Sequence, residues 1–174
     1  SFIPICAESE AVGMVINMEN FTELISMNQS RKYPKEGDIF LVQPLPNVYY
    51  YGKVIQTQIK SRDSLVNGMN LIFVYDKSTD NKNIPDNLSD CDFLISPVII
   101  NKLPWSRGYF ETISNLCVTE RERKMPFGFW NTLRKTFVNA EGITLTFKPQ
   151  YWSDYGLASY AVVGEKIQAA LNKK

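Results

Sequence analysis

Histidine is absent from this chain of 174 residues. It is the commonest general base in enzymes, a member of the usual serine and cysteine triads and a frequent metal ligand. Its absence excludes those triads and every histidine-ligated metal site. No glycine-rich loop of phosphate-binding form occurs either. The sequence therefore predicts no catalytic residue, no metal ligand and no cofactor.

Cysteine is scarce as well. Cys6, Cys91 and Cys117 are odd in number and widely spaced, without a C-x-x-C pair. Free thiols in a reducing compartment are the default for this pattern. No apolar run approaches the roughly 20 residues that span a bilayer, and the first four residues lack the basic start of a secretory signal. We expect a cytoplasmic protein that does not enter the membrane.

The composition is that of an ordinary folded protein. Hydrophobic residues make up 44% of the chain and charged residues 21%, which places it outside the disordered class. The aromatic share of 13% favours strands, because aromatic side chains fit a pleated, half-buried surface. The length fits one domain, which we predict over residues 1–174. We expect an α+β fold that is predominantly β.

Net charge is only +1, but the charges are segregated along the chain. Residues 1–30 carry four glutamates and no basic residue. Residues 76–92 hold five aspartates against two lysines, and residues 121–135 hold five basic residues against one glutamate. Patches of both signs suit a protein partner that is recognised by charge complementarity. The alternative is that these segments are merely solvated loops.

Hydrophobic periodicity predicts the main elements. Strands are expected over residues 39–45, 49–57, 71–75, 93–100 and 143–147. Pro97 interrupts the 93–100 segment, which is therefore expected to be an edge strand or two short strands. Helices are expected over 20–29, where Asn20 and Glu23 resemble a capping box, and over 164–172. Gly52 indicates a bulge or a close backbone approach. Residues 76–92 form a long polar loop, and such loops are often functional.

Three sets of residues could carry a function. Asp90 with Asp92, or Asp76 with Asp80, could act as paired carboxylates in a hydrolase without histidine, but no glycosidase or metal-loop pattern surrounds them. The 121–135 segment interleaves basic and aromatic residues and could bind single-stranded nucleic acid, although the near-zero net charge argues against that partner.

Trp105 and Arg107 form the third set, because both residue types are enriched at interface hot spots. A core role is favoured for Trp105, since Pro104 and Gly108 indicate a tight turn that needs an anchor.

A series of short motifs resembles a known family. It comprises Lys35-Glu36-Gly37-Asp38-Ile39-Phe40, the turn Pro44-Leu45-Pro46, Tyr51-Gly52-Lys53-Val54, the strand from Leu71 to Asp76, Ser96-Pro97-Val98-Ile99-Ile100 and Leu103-Pro104-Trp105-Ser106-Arg107-Gly108-Tyr109-Phe110. In this order they are similar to the immunity protein 26 family, whose members open with a Gly-Asp-Ile/Val-Phe strand, a Pro-Leu turn and a Tyr-Gly-Arg/Lys-Val strand. The best-matched core is residues 35–115.

The resemblance implies a bacterial immunity protein that binds a cognate toxin of the contact-dependent growth inhibition type and blocks its active site. It implies a curved, SH3-like antiparallel sheet, with the two helices predicted above, and no enzymatic activity. Phosphotriester hydrolysis is sometimes attached to the family, but this chain lacks the histidines. Because many such toxins are nucleases with basic clefts, the expected contact residues are Asp76, Asp80, Asp86, Asp90, Asp92, Trp105 and Arg107.

Overall fold

The computed structural model describes residues 23–174. Within them the strands are β1 Asp38–Leu45, β2 Val48–Gln56, β3 Asn70–Thr79, β4 Phe93–Ile100, β5 Glu111–Asn115, β6 Phe127–Asn131, β7 Thr136–Val138, β8 Tyr151–Asp154 and β9 Leu157–Ala158. The helices are α1 Leu103–Ser106, α2 Glu120–Arg123 and α3 Tyr160–Asn172, and a short 3-10 turn spans Leu88–Asp90.

The strands form two sheets. The larger has the order β5-β1-β2-β3-β4-β9 and the smaller the order β7-β6-β8. The β4–β9 and β6–β8 pairs are parallel and the other pairs are antiparallel. The expected α+β, predominantly β class is confirmed. The expected antiparallel sheet is formed by β5-β1-β2-β3-β4, and the parallel strand β9 and the second sheet were not predicted. The SH3-like form of the sheet and the single domain over 1–174 stay predictions.

Apolar residues are buried on both faces of the large sheet. Successive side chains of a strand point to opposite faces. Accordingly Ile39 and Leu41 join one core cluster, while Phe40 and Val42 join the other. The same alternation places Phe73 in the first cluster and its neighbours in the second. Burial on both faces explains why β1 to β4 are nearly continuous apolar runs in the sequence.

The hairpin of β1 and β2 is built around Gly52. Gly52 pairs with Phe40 across the hairpin, and a Cβ added there would lie 2.2 Å from the Phe40 ring. The close approach expected at this glycine is therefore confirmed, and the register irregularities of β2 lie elsewhere. A proline usually ends or interrupts a strand, because it cannot donate a ladder hydrogen bond. Pro44 nevertheless lies inside β1, where it sits at a register shift between Val42 and Leu45.

The helix predicted over 20–29 is wrong for its described part, residues 23–29. Backbone amides in this stretch donate to distant carbonyls, with Ile25 bonded to Gln43 at 2.8 Å and Met27 to Gly108 at 2.7 Å. Tertiary hydrogen bonds replace the helical ones, so the segment runs extended. Residues 20–22 lie outside the described residues.

Two strand predictions also need correction. Residues 143–147 form only an isolated bridge between Val138 and Thr144, and Ile143 and Phe147 are exposed. Period-two alternation alone therefore misled at this segment. The 93–100 run is one strand, β4, and it is paired with β3 along its length and with β9 at its end, so it is not a free edge strand.

The C-terminal helix is confirmed and begins earlier than predicted. The Ser159 side chain accepts a hydrogen bond from the Val162 amide at 3.2 Å and caps α3. Ile167 is fully buried, and Ala170 and Leu171 pack against the second core cluster. The helix therefore covers one face of the large sheet, with its apolar side inward.

Candidate functional site

The acidic segment of the sequence divides between a strand and a loop. β3 continues to Thr79, so the connection to β4 is residues 80–92, called the acidic loop below. Asp76 therefore lies in β3, where it forms an ion pair with Lys174. The four carboxylates of the acidic loop, Asp80, Asp86, Asp90 and Asp92, all lie on exposed residues.

Most of these loop carboxylates have no protein partner. Asp80 accepts a hydrogen bond from the Asn81 side chain at 3.3 Å. Asp86, Asp90 and Asp92 make no side-chain hydrogen bond or ion pair with any described residue. Three negative charges of one loop are therefore available to a binding partner.

The loop carrying these charges is held at its start and near its end. The Tyr51 hydroxyl lies 2.7 Å from the Thr79 hydroxyl and also donates to the backbone carbonyl of Asn83. Arg121 donates to the Ser89 carbonyl at 2.7 Å, and Leu88 is buried in the first core cluster. Burial raises the pKa of the Tyr51 phenol, so it stays protonated as a donor. The loop is thus ordered before any partner binds.

A buried ion pair lies beneath the acidic loop. Lys53 Nζ is 2.9 Å from Glu122 Oε1, and the exposed fractions of the two side chains are 3% and 0%. Lys53 also donates to the Cys117 carbonyl at 2.8 Å. Glu122 accepts further hydrogen bonds from the Tyr75 hydroxyl and from the Thr119 amide. Both buried charges are therefore balanced and hydrogen-bonded, as burial requires.

These contacts shift the protonation of the acids in the pair. Burial opposes ionisation of Glu122, but hydrogen bonds from Tyr75, Lys53 and the Thr119 amide outweigh it, so the pKa of Glu122 lies below its ordinary value. Burial and the bond to the Glu122 carboxylate raise the pKa of Tyr75. At neutral pH the carboxylate is charged and the phenol is its donor.

This buried pair was missed at the sequence level, although a signal existed. Thr119-x-x-Glu122 is a capping-box pattern. In the structure the Thr119 side chain accepts a hydrogen bond from the Glu122 amide, and the Glu122 carboxylate accepts one from the Thr119 amide. The pattern predicts where the helix starts. It does not say that the same carboxylate meets Lys53, which is distant in sequence on β2.

A cavity of about 490 Å³ lies between the acidic loop and the segment that leads into α2. Its lining residues come from β1, β2, the loop and that segment, and they are Ile39, Lys53, Ile84, Pro85, Asp86, Asn87, Leu88, Ser89, Leu116, Cys117, Thr119 and Glu122. The Lys53–Glu122 pair forms part of its wall, so the cavity is tied to the rigid core.

Trp105 and Arg107 lie outside the acidic loop, although Lys82 of the loop pairs with Glu111, the neighbour of the Trp105 partner Thr112. The Trp105 side chain is 2% exposed and belongs to the second core cluster, whereas Leu88 of the loop belongs to the first. Its ring packs at 5.3 Å from Phe40, and its indole N–H donates to Thr112 at 3.0 Å. This is the core role that the sequence favoured. Arg107 is exposed, next to Trp105 on the turn.

The basic segment 121–135 does not present its charges as one free patch. Arg121 is bonded to the loop, Arg123 pairs with Glu36 at 3.1 Å, and Lys124 lies 3.8 Å from Glu120. Arg134 donates to the Gly142 carbonyl at 2.8 Å and to the Thr144 hydroxyl at 2.7 Å.

The aromatic residues of the same segment are mostly occupied inside the protein. Phe127 packs edge-on against Phe73, and Phe129 is buried in the first core cluster. Trp130 packs against Phe137 at a centroid distance of 4.9 Å. A platform of free rings beside free cations, which single-stranded binding needs, is therefore not assembled by these residues.

Two features are absent from residues 23–174, the part of the chain that the structure describes. No cluster of three or more Cys, Asp or Glu side chains there has the arrangement of a metal-ion site. No helix in the same residues is long and apolar enough to cross a membrane.

Comparison with known proteins yields one finding. The family model described as immunity protein 26 matches residues 35–138, which run from the start of the β1–β2 hairpin to the end of β7. Comparisons with the curated proteins and with the solved structures returned no match. The matched range exceeds half of the chain and contains the acidic loop, the buried Lys53–Glu122 pair and the cavity. The chain belongs to the immunity protein 26 family.

Proposed function

We propose that this protein is a stoichiometric inhibitor that binds a cognate toxin domain, of the contact-dependent growth inhibition type, in the cytoplasm. It blocks the toxin active site sterically and performs no catalysis. Membership of an immunity protein family supports a toxin-neutralising role.

The observation that carries the contact surface is the set of unpartnered carboxylates on the acidic loop. Asp86, Asp90 and Asp92 are exposed and make no ion pair with the described residues. Charges of this kind raise the association rate with an oppositely charged partner. A nuclease toxin presents such a partner, because its cleft must attract phosphates. We therefore propose a nuclease-type toxin with a basic cleft.

The anchoring of the loop favours tight binding. Ordering a loop during association costs free energy, and a loop already held in place avoids that cost. Tyr51, Arg121 and the buried Leu88 hold this loop. The acidic loop is therefore suited to reach a cleft as a rigid wedge.

The test is the binding kinetics of the toxin domain encoded directly upstream. We expect the wild-type protein to copurify with that domain and to rescue cells that express it. Changing Asp86, Asp90 and Asp92 together to Asn should slow association about tenfold at low salt and flatten its salt dependence, because exposed charges act mainly on the on-rate.

The matched control neutralises charges of the other sign. Arg123→Gln with Lys124→Gln removes two exposed cations that pair with Glu36 and Glu120 on the surface. Its association rate should not decrease. Slower association of the control, with the aspartate variant unchanged, would assign the contact to the basic segment. Failure of the wild-type protein to bind the upstream product would reject the inhibitor proposal.

A further inference from the structure

The cavity beside the acidic loop has one charge that the protein leaves unbalanced. Three of its lining residues are charged, namely Lys53, Glu122 and Asp86. Lys53 and Glu122 neutralise each other at 2.9 Å. The Asp86 carboxylate makes no hydrogen bond or ion pair with a described residue. The net charge of the cavity wall is therefore that of one exposed carboxylate.

Apolar residues predominate among the other lining residues, and their exposure differs. Ile39 and Leu88 are buried, and Ile84 and Pro85 on the loop are partly buried. Leu116, from the segment that leads into α2, is 48% exposed. A cavity that combines apolar residues with an unpaired carboxylate suits a side chain that has an alkyl stem and a cationic head.

We propose that this cavity is the anchor pocket for one arginine side chain of the toxin domain. The stem packs between Ile84 and Leu116, and the guanidinium group donates to the Asp86 carboxylate. Arginine is preferred to lysine because its planar fork matches a carboxylate with two parallel hydrogen bonds. This inference rests on the proposed function, and it names the contact that governs dissociation of the complex.

Two features of the chain support an arginine as the occupant. The loop already binds one guanidinium, because Arg121 donates to the Ser89 carbonyl at 2.7 Å. The volume of about 490 Å³ accommodates a long side chain together with water. Deep pockets that desolvate arginine at the centre of an interface carry much of the binding energy, whereas exposed charges around them act on the association rate.

The test compares dissociation rates of the complex with the upstream toxin domain. Asp86→Asn and Leu116→Ala, each alone, should raise the dissociation rate about tenfold or more, because each removes one half of the pocket contact. The matched controls are Glu165→Gln, an exposed carboxylate on α3, and Leu133→Ala, an exposed leucine on the β6–β7 turn. Both controls should change the dissociation rate less than about threefold.

Cys117 supplies an independent readout, because its exposed thiol belongs to the lining of this cavity. With Cys6 and Cys91 changed to Ser, it is the sole thiol, and its labelling by a maleimide reports access to the pocket. We expect the bound toxin domain to slow this labelling at least about tenfold, since a filled pocket excludes the reagent. The same toxin domain should not protect a cysteine introduced at Leu133.

The outcomes separate the two proposals. A wild-type complex that forms, with unchanged dissociation in Asp86→Asn and unprotected Cys117, would overturn the anchor pocket and leave the inhibitor function standing. Faster dissociation of Leu133→Ala instead would place the anchor on the β6–β7 side. No complex with the wild-type protein would overturn the inhibitor function and with it the pocket.

Discussion

The acidic loop and the basic segment 121–135 are both charged and both exposed in part, yet they differ in what their charges contact. Asp86, Asp90 and Asp92 have no hydrogen-bonded or ion-paired partner among the described residues. By contrast Arg121, Arg123, Lys124 and Arg134 each contact a carbonyl, hydroxyl or carboxylate of the same chain. Net charge alone ranks the basic segment higher, at +4 against −3.

Available charge, and not net charge, is the reason for proposing the acidic loop as the docking surface. A charge that already has a partner of opposite sign presents a weaker field to a second one, because the two charges partly cancel. The loop presents unpaired charges on a backbone fixed from below by buried groups. Four of the five basic side chains of the segment contact other groups of the chain, and the exposed Lys135 is the exception among the described residues. Three changes would break or sharpen this comparison.

The largest effect is expected from Lys53→Ala. It leaves the Glu122 carboxylate buried without its cation, which costs about 3 to 5 kcal/mol of unfolding free energy. Urea denaturation measures the loss. Lys82→Ala removes a more exposed ion pair with Glu111 and should cost less than about 1 kcal/mol. Equal losses in the two variants would contradict the expected effect of burial on the ion pair.

The next effect is a pH dependence of stability that comes from Glu122. Its folded-state pKa lies below the ordinary value of 4.5, so the stabilisation is complete above that value and is lost as pH falls through the folded pKa. We expect the unfolding free energy of the wild-type protein to fall more steeply below pH 4.5 than that of Glu122→Gln. Parallel pH profiles, from denaturation at several acidic pH values, would contradict this origin.

The smallest effect tests whether loop anchoring matters for binding. Tyr51→Phe removes the hydroxyl that holds Thr79 and Asn83, and should cost about 1 kcal/mol of stability. Tyr155→Phe removes a hydroxyl bonded to Ser61 and Ala140, far along the chain from the loop, at a similar cost. Only Tyr51→Phe should weaken toxin binding, as measured by calorimetry. Equal weakening would point to global destabilisation.

The parts of the fold that could be predicted are those with strong local signals. The strands from Asp38 to Ile100 are long apolar runs, and burial on both faces makes such runs conspicuous. The close packing at Gly52 could be predicted because glycine has no side chain. The α3 helix could be predicted from the spacing of its apolar residues. The 20–29 helix failed because the amides of Ile25 and Met27 find partners on other segments, which no local pattern encodes. The strand predicted over 143–147 was wrong because alternating apolar and polar residues do not ensure that a neighbouring strand is there to pair with.

The candidate site was predicted only in outline. The acidic composition of 76–92 marked the loop correctly, although β3 takes the first four residues of it. The sequence could not tell that Asp76 is paired with Lys174 while Asp86 is not. It also counted Trp105 among the expected contact residues, whereas the structure buries its side chain in the second core cluster.

The sequence by itself determined the class of fold, the family and the sign of the charge on the exposed loop. These depend on composition, on ordered motifs and on local periodicity, all of which are read along the chain. Tertiary structure alone decided which charges are paired and where the cavity lies. Lys53 and Glu122 are 69 residues apart, and their contact exists only because β2 and α2 pack together. The availability of Asp86 likewise depends on its surroundings, because a carboxylate is free only when folding brings no cation or hydrogen-bond donor next to it.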